Sequence, residues 1–206
     1  RDSHDHEPAT LALIAAAQHH LCLEHYLLRD DAWGAELLDA LMYACERGVT
    51  VRVLVDWLGS GLTGLRRWRR CLEQAGGHFR YFNPPGLGEP LAWVVRNHRK
   101  LISRDGVDAI ISGWCLSAQW RGKPGSGPWR DTGVRISGPL VVDAEQAFAG
   151  SDAGDSCDDE GMKEIVALPA RGARRSSENA WATPLVNLMN KQEDESPRPA
   201  ADEKPR

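Results

Sequence analysis

Long apolar runs, paired cysteines and an excess of positive charge are all missing from this sequence of 206 residues. The longest apolar run, Leu11–Ala17, is far short of the roughly 20 residues that a membrane-spanning helix needs. The five cysteines are odd in number and include no Cys-x-x-Cys pair, which argues against a disulfide framework or a structural zinc site. The net charge of −4 does not suit a generic nucleic-acid binder. We therefore expect a globular protein of a reducing compartment.

The N-terminal residues also lack the basic segment, apolar core and small-residue cleavage site of a secretory leader. Secretion is therefore unsupported by the sequence. Because the first residue is Arg1 and not Met, a processed or partial chain is an equal expectation.

Helical and extended patterns alternate along the first 150 residues. A strand at Leu21–Leu28 precedes a helix that ends at Gly48 and a buried strand at Val49–Val55, the order that joins parallel strands in an α/β sheet. Other expected helices are Pro8–His19, Leu65–Gln74 and Val141–Phe148, and other expected strands are His78–Phe82, Ala92–Ser103, Asp108–Ser112 and Asp131–Ser137. The sequence therefore predicts an α/β fold in which a mixed β-sheet is flanked by α-helices.

The composition changes near residue 150, where acidic and small residues replace the alternating patterns. We expect residues 1–150 to form one domain and residues 151–191 to form a weakly structured extension. Residues 192–206 are rich in charge, proline and alanine, which is typical of a disordered tail.

Three residues in the spacing His-x-Lys-x-x-x-x-Asp carry the clearest chemical signal: His98, Lys100 and Asp105. On a strand, residues two apart share a face, so His98 and Lys100 would project into the same space. A lysine can hold a phosphodiester oxygen by charge, while a neutral imidazole can attack the phosphorus atom. The alternative is a solvated turn at Asn97–Lys100 without a function.

This motif and its surroundings resemble the HKD motif of the phospholipase D superfamily, in its bacterial cardiolipin synthase branch. The motif itself is carried by Arg96–Ile102, followed by Asp105-Gly106 and Ser112-Gly113. Similar pieces occur in the same order at Leu23–Tyr26, Glu46–Val49, Val51–Asp56, Gly59-Ser60, Phe79–Pro84, Trp129–Asp131 and Ser137–Val141. The resemblance therefore extends from about Leu11 to Phe148.

The resemblance implies a phosphatidyltransferase or phosphodiesterase that acts on phospholipids through a phosphohistidine intermediate, without a metal ion or other cofactor. It also implies two facing motifs, in which one histidine is the nucleophile and the other is the general acid for the leaving alcohol. This sequence holds one motif. We therefore expect the second motif to come from a homodimer mate or from a missing second half. The expected partner is a phospholipid at the inner face of the cell membrane and not a nucleic acid, with the protein cytoplasmic and peripheral.

The resemblance assigns a role to each of four residues. His98 is the nucleophile or, on the opposing half, the acid, and Lys100 binds phosphate. Asp131 orients the histidine, with a simple cap at the start of a strand as its alternative. Asp105 supports the motif by stabilising the turn that follows it.

Five further residues are candidates for substrate binding: Asn97, Ser112, Gly113, Cys115 and Glu24. Cys115 stands where the family motif commonly has Asn, and Gly113 stands where Ser is frequent. Because a thiol is a weak donor, one phosphate contact is lost or is made elsewhere; a small buried hydrophobe is the alternative for Cys115. Glu24 is either a site residue at the end of the sheet or an outward-facing carboxylate.

Two other functions stay open at this point. A homodimeric nuclease is favoured by the chain length and single motif but not by the acidic charge. An inactive half-enzyme or lipid-binding remnant is favoured by Cys115, Gly113 and the missing second half. Two features favour lipid contact, with core packing or a solvated helix face as alternatives. They are the tryptophans Trp57, Trp93, Trp114, Trp120 and Trp129 and the basic cluster Arg66–Arg70.

Overall fold

A computed structural model describes residues 3–61, 64–85, 94–122 and 127–152. Apart from its first two residues, the predicted extension 151–191 lies outside the described residues, as does the predicted tail 192–206. The same holds for Trp93, one of the five tryptophans expected to contact lipid.

A six-stranded mixed sheet forms the centre of the described structure. Its strands are β1 (His20–His25), β2 (Thr50–Asp56), β3 (His78–Phe82), β4 (Leu101–Arg104), β5 (Asp108–Ser112) and β6 (Gly133–Ser137). The strand order is β3-β2-β1-β4-β5-β6; β1, β2 and β3 are parallel, while β4 is antiparallel to both of its neighbours and β6 is antiparallel to β5. The predicted α/β fold with a mixed sheet is confirmed.

Helices cover both faces of the sheet. They are α1 (Ser3–Ala16), α2 (Ala32–Glu46), α3 (Trp57–Ser60), α4 (Arg66–Gln74) and α5 (Pro139–Asp152), with a short 3-10 helix at Ala118–Arg121. Alternate strand residues face opposite sides, so Leu23 and Val53 pack with α1, α2 and α4, while Cys22 and Leu54 pack with α5. Among the described residues, no helix combines the length and apolar character needed to cross a membrane.

The connection from α2 to β2 follows from local sequence chemistry. The Asp31 carboxylate accepts the Gly34 N–H at the start of α2. At the end of α2, Gly48 adopts a φ of +86°, which glycine tolerates without steric cost. The Gly48 N–H then bonds to the Cys45 carbonyl and the Val49 N–H to the Ala44 carbonyl, so the chain turns directly into β2.

Two predicted elements differ from the structure. The first helix was expected to begin at Pro8, but α1 begins at Ser3 and ends at Ala16, so Pro8 lies inside it. The predicted strand Ala92–Ser103 is mostly wrong, because residues 94–100 are irregular and β4 begins at Leu101; Ala92 lies outside the described residues. The Arg96 guanidinium and the Asn97 N–H bond to Asp56 of β2, and the Asn97 side-chain amide bonds to Glu24 of β1, as described below.

One edge of the sheet is where the segments that carry the candidate site residues meet. β1, β2, β3 and β5 all end there, whereas β4 and β6 begin there. We call it the carboxyl edge. Residues 96–100, which lead into β4, therefore lie at the carboxyl edge together with the segments that follow β1, β2, β3 and β5.

Candidate active site

The His98 side chain lies at the carboxyl edge, stacked on an aromatic ring that follows β1. The ring centroids of His98 and Tyr26 are 3.9 Å apart and the planes are tilted by 28°. The Tyr26 backbone is fixed in turn, because its carbonyl accepts the Ser60 hydroxyl at 2.9 Å. Gly59 is needed beside it, since a Cβ there would lie 2.2 Å from the Tyr26 carbonyl oxygen. The stack gives the imidazole a fixed plane.

Asp56, the last residue of β2, anchors the backbone just before His98. One carboxylate oxygen accepts the Asn97 N–H at 2.9 Å. The other accepts the Arg96 guanidinium at 3.2 Å and the N–H groups of Leu58 and Gly59 at 2.9 and 3.0 Å. Since Asp56 is buried, its charge is balanced by these donors and not by water. Residues 96–100, which we call the motif segment, are thereby joined to the end of β2 and the start of α3.

Glu24 holds the same segment from β1. It is 1% exposed, and one carboxylate oxygen accepts the side-chain amide of Asn97 while the Arg99 guanidinium lies 3.6 Å away. The Asn97 side-chain oxygen accepts the Arg99 N–H at 3.0 Å, so both ends of the Asn97 side chain are used within the protein. Burial raises the pKa of Glu24, although the Arg99 charge and the Asn97 hydrogen bond oppose that shift.

These contacts bear on two sequence predictions. The outward-facing alternative for Glu24 is wrong, because this side chain is buried on the α5 side of the sheet. Asn97 and Glu24 were also predicted to bind substrate, but their polar groups are engaged with each other and with Arg99. Their substrate-binding roles stay predictions.

Lys100 lies beside His98 and directly precedes β4. Its ammonium donates to the His98 carbonyl at 3.0 Å, and its own carbonyl accepts the Ser112 N–H at 3.1 Å. The predicted proximity of His98 and Lys100 therefore holds, although neither residue belongs to a strand. A cation and an imidazole at one sheet edge form a combination that can bind and attack a phosphodiester.

Two buried histidines, His6 and His25, lie near each other, and Lys100 acts on His25 by its charge. Burial, with smaller effects from His6 and Lys100, lowers the pKa of His25 well below its ordinary value. Burial likewise lowers the pKa of His6 to about 4. The His6 ring lies 5.0 Å from the ring of Trp114, which is also buried. Both histidines are thus neutral near pH 7, so they add no positive charge next to Lys100.

Asp131 lies against the backbone of Gly113 at the end of β5. A Cβ on Gly113 would come within 2.2 to 2.4 Å of all three atoms of the Asp131 carboxyl group. A side chain at position 113 would therefore displace the Asp131 carboxyl group. Asp131 also accepts the Thr132 N–H at 2.6 Å just before β6, and its charge acts on His6. Its orienting role towards His98 stays a prediction.

The remaining candidates occupy different parts of the same hairpin. Ser112 is half-buried and pairs with Lys100 through its backbone, while Cys115 is half-buried in the segment after β5. That segment is held at the carboxyl edge because Asp31 accepts the Ser117 hydroxyl at 2.8 Å and the Ala118 N–H at 2.7 Å. The substrate-binding roles of Ser112, Gly113 and Cys115 stay predictions.

Asp105 was expected to support the motif by stabilising the turn that follows it, and it lies in that turn, at the opposite end of β4 from Lys100. Five residues of extended chain separate them by roughly 16 Å. Asp105 and Gly106 form the β4–β5 turn with φ values of 55° and 63°. The Asp105 carboxylate accepts the N–H groups of Gln18, His19 and His20 at 2.8 to 2.9 Å. It therefore fixes the register of the hairpin against the start of β1.

Sequence reasoning missed Tyr26, Asp56 and the histidine pair as parts of the site. One signal was available for Asp56, because a carboxylate that ends a buried strand in an α/β sheet lies where such folds bind ligands. Nothing comparable marks Tyr26, since its contact with His98 joins residues far apart in sequence.

The sequence is similar to that of bacterial cardiolipin synthases. It is 37% identical over 149 residues to the major cardiolipin synthase ClsA of Bacillus subtilis, covering 71% of this chain and 31% of that protein. It is 32% identical over 143 residues to cardiolipin synthase A of Pseudomonas aeruginosa, covering 68% and 29%. The chain thus spans less than a third of the length of these curated relatives. No protein-family model matches it.

Solved structures share the fold at lower sequence identity. Nuc from Salmonella typhimurium, a phospholipase D family member, gives a TM-score of 0.53 with 16% identity over 70% of this chain and 84% of that chain. Phosphatidylserine synthase from Haemophilus influenzae gives 0.53 with 15% identity over 80% and 40%. Fold and sequence together define a phospholipase D-like domain. Within that superfamily the domain belongs to the branch of the bacterial cardiolipin synthases.

Proposed function

We propose that this chain provides half of the active site of a cardiolipin synthase-type phosphatidyltransferase. The observation that carries the proposal is the placement of His98, whose ring is stacked on Tyr26 while Asp56 and Glu24 hold Asn97 next to it. Such support restricts the imidazole before substrate arrives, which lowers the entropic cost of attack. The sequence similarity to cardiolipin synthases supports the same function.

The proposed reaction has two displacements at one phosphorus atom. A ring nitrogen of His98 attacks the phosphorus of phosphatidylglycerol, so that an N–P bond forms and the bond from phosphorus to the glycerol headgroup oxygen breaks. A second histidine gives its proton to the departing glycerol oxygen. The hydroxyl of a second phosphatidylglycerol then attacks the phosphorus, returns a proton to that second histidine and releases His98, giving cardiolipin. Lys100 balances the charge of the phosphoryl oxygens in both steps.

The second histidine comes from another motif, because the described residues offer no second His-x-Lys pair at the carboxyl edge. We propose that it is supplied by a second copy of the chain or by a second half. In a two-fold symmetric pair each His98 would face its counterpart, with one acting as nucleophile and the other as acid. Residues 1–150 are the proposed phospholipase D-like domain.

The proposed substrate places the domain at a membrane surface. Phosphatidylglycerol is held in a bilayer, so the carboxyl edge has to meet lipid at the inner face of the cell membrane. The domain therefore acts as a peripheral protein in this proposal.

Phosphatidylglycerol turnover by the purified chain tests this function, together with its mass in solution. We expect product formation, a dimer of about twice 22.7 kDa, and at least a thousandfold loss of turnover in a His98→Ala variant. The matched control is His78→Ala, an exposed histidine that begins β3 at the opposite edge and is expected to leave turnover unchanged. Turnover that survives in His98→Ala would refute the proposal.

A further inference from the structure

Four large apolar side chains are exposed at the carboxyl edge around His98. Leu58 in α3 is 37% exposed, Val94 and Val95 just before the motif are 58% and 63% exposed, and Trp129 is 60% exposed. Each follows the end of a strand at this edge: Leu58 follows β2, the two valines lie beside Asn83 after β3, and Trp129 lies in the segment after β5. We call these four side chains the apolar rim. The other tryptophans expected at lipid differ, since Trp114 is buried and Trp57 and Trp120 are half-buried.

Positive charge lies next to the apolar rim at the start of α4. Helix α4 packs its Trp68 face into the core and turns four arginines towards solvent. Arg67 is paired with Asp30, and Arg69 is paired with Glu73. In the part of the chain that the structure describes, no carboxylate pairs with Arg66 or Arg70.

The ion pair between Arg67 and Asp30 shows where Arg66 and Arg70 lie. Asp30 belongs to the segment after β1, so its pair with Arg67 holds the first turn of α4 at the carboxyl edge. Arg66 lies in that turn, and Arg70 follows one turn later on the same helix face. Free cationic side chains and exposed apolar side chains therefore surround one edge, which is also the edge that holds His98.

We propose that the apolar rim, with Arg66 and Arg70, docks the chain on an anionic lipid bilayer and turns His98 towards the headgroups. The inference rests on the proposed function, because it names the surface by which that site would reach its substrate. Apolar side chains that enter the acyl boundary, flanked by unpaired cations, match the chemistry of an anionic bilayer surface. A second copy of this chain, which carries a net charge of −4, is the alternative occupant that the mass measurement below distinguishes.

Sedimentation of the full chain with vesicles tests the proposal. Vesicles of phosphatidylcholine with phosphatidylglycerol are compared with vesicles of phosphatidylcholine alone. We expect binding to the first kind, a loss of about fivefold for each arginine removed in Arg66→Gln/Arg70→Gln, and a weakening by added salt. We expect a roughly tenfold loss in Val94→Ser/Val95→Ser, because apolar area no longer enters the bilayer.

The matched control is Val107→Ser, which removes a 48% exposed valine beside the β4–β5 turn at the opposite edge. This variant is expected to bind vesicles like the parent chain. Equal binding by the parent and the Val94→Ser/Val95→Ser variant would overturn the proposal. So would a loss of dimer mass in that variant without a loss of vesicle binding, since the rim would then be an interface between copies.

Failure of docking and failure of the proposed function give different results. A His98→Ala chain is expected to bind vesicles like the parent and to lose turnover. Vesicle binding by the parent chain itself without any turnover would refute the proposed function alone. A rim variant that turns over detergent-dispersed phosphatidylglycerol has a working site. If that variant also binds vesicles and turns over their phosphatidylglycerol like the parent chain, the docking surface alone would be refuted.

Discussion

Asp56→Asn tests whether the buried carboxylate at the end of β2 holds the motif segment in place. In the parent chain, one oxygen of Asp56 accepts the Asn97 N–H while the other accepts Arg96 and two N–H groups of α3. An asparagine can provide only one acceptor oxygen, so its NH₂ group must face one of these donors. The Arg96 guanidinium, whose side chain is 12% exposed, also loses its charge partner.

The cost follows from these two losses. A buried donor left unpaired costs about 1–3 kcal/mol, and breaking a buried ion pair by removing one charge costs about 3–5 kcal/mol in all. With a urea dependence of about 2 kcal/mol per molar, the unfolding midpoint should fall by about 2 M. The same variant should lose phosphatidylglycerol turnover at urea concentrations where it is still folded, because His98 is no longer held.

The control for Asp56→Asn is Glu73→Gln, which removes a carboxylate from the exposed pair with Arg69 on α4. Exposed pairs contribute about 0–1 kcal/mol, so the midpoint should move by at most about 0.5 M. If Asp56→Asn shifted the midpoint no further than Glu73→Gln does, the argument that this carboxylate anchors the motif would fail.

Three further changes test other parts of the account. Burial raises the pKa of Glu24, so ionising this carboxyl group costs more in the folded state, and the stability of the parent chain should fall as pH rises above the ordinary glutamate pKa of about 4.3. In melts between pH 4 and 8, Glu24→Gln should remove this fall in stability with pH. An unchanged pH dependence would count against the buried carboxylate. Gly113→Ala should displace the Asp131 carboxyl group and lower turnover at least tenfold with little change in melting temperature, and normal turnover would exclude Asp131 from the reaction. Burial alone would lower the pKa of His20, but the hydrogen bond and charge of Glu145 raise it. The stability that this pair adds should therefore be present below about pH 6.5 and be lost as pH rises through the pKa of His20 in the folded state. Glu145→Gln should abolish this pH dependence of stability.

Much of the fold could be predicted because local signals and tertiary contacts agree. β3 has the predicted bounds, and the end of α2 is where Gly48 indicated. The prediction of a strand at Ala92–Ser103 was mostly wrong because the local apolar pattern carries no information on contacts with the distant residues Asp56 and Glu24. Asp56 accepts the Asn97 backbone N–H, which a strand would give to its neighbour, and Glu24 accepts the Asn97 side-chain amide.

The candidate site was predictable only where spacing carries information. His98 and Lys100 could be paired from sequence because they are two residues apart. Asp105-Gly106 could be placed in the turn at the far end of β4 because an Asp-Gly pair is typical of tight turns. The Tyr26 stack depends on how β1 and the motif segment meet, so only the folded structure could show it.

The most direct test of the central claim is phosphatidylglycerol turnover by the parent chain and by His98→Ala, measured at protein concentrations where both bind vesicles equally. The account predicts cardiolipin formation by the parent chain and at least a thousandfold less by the variant. Equal product formation by the two proteins would contradict the assignment of His98.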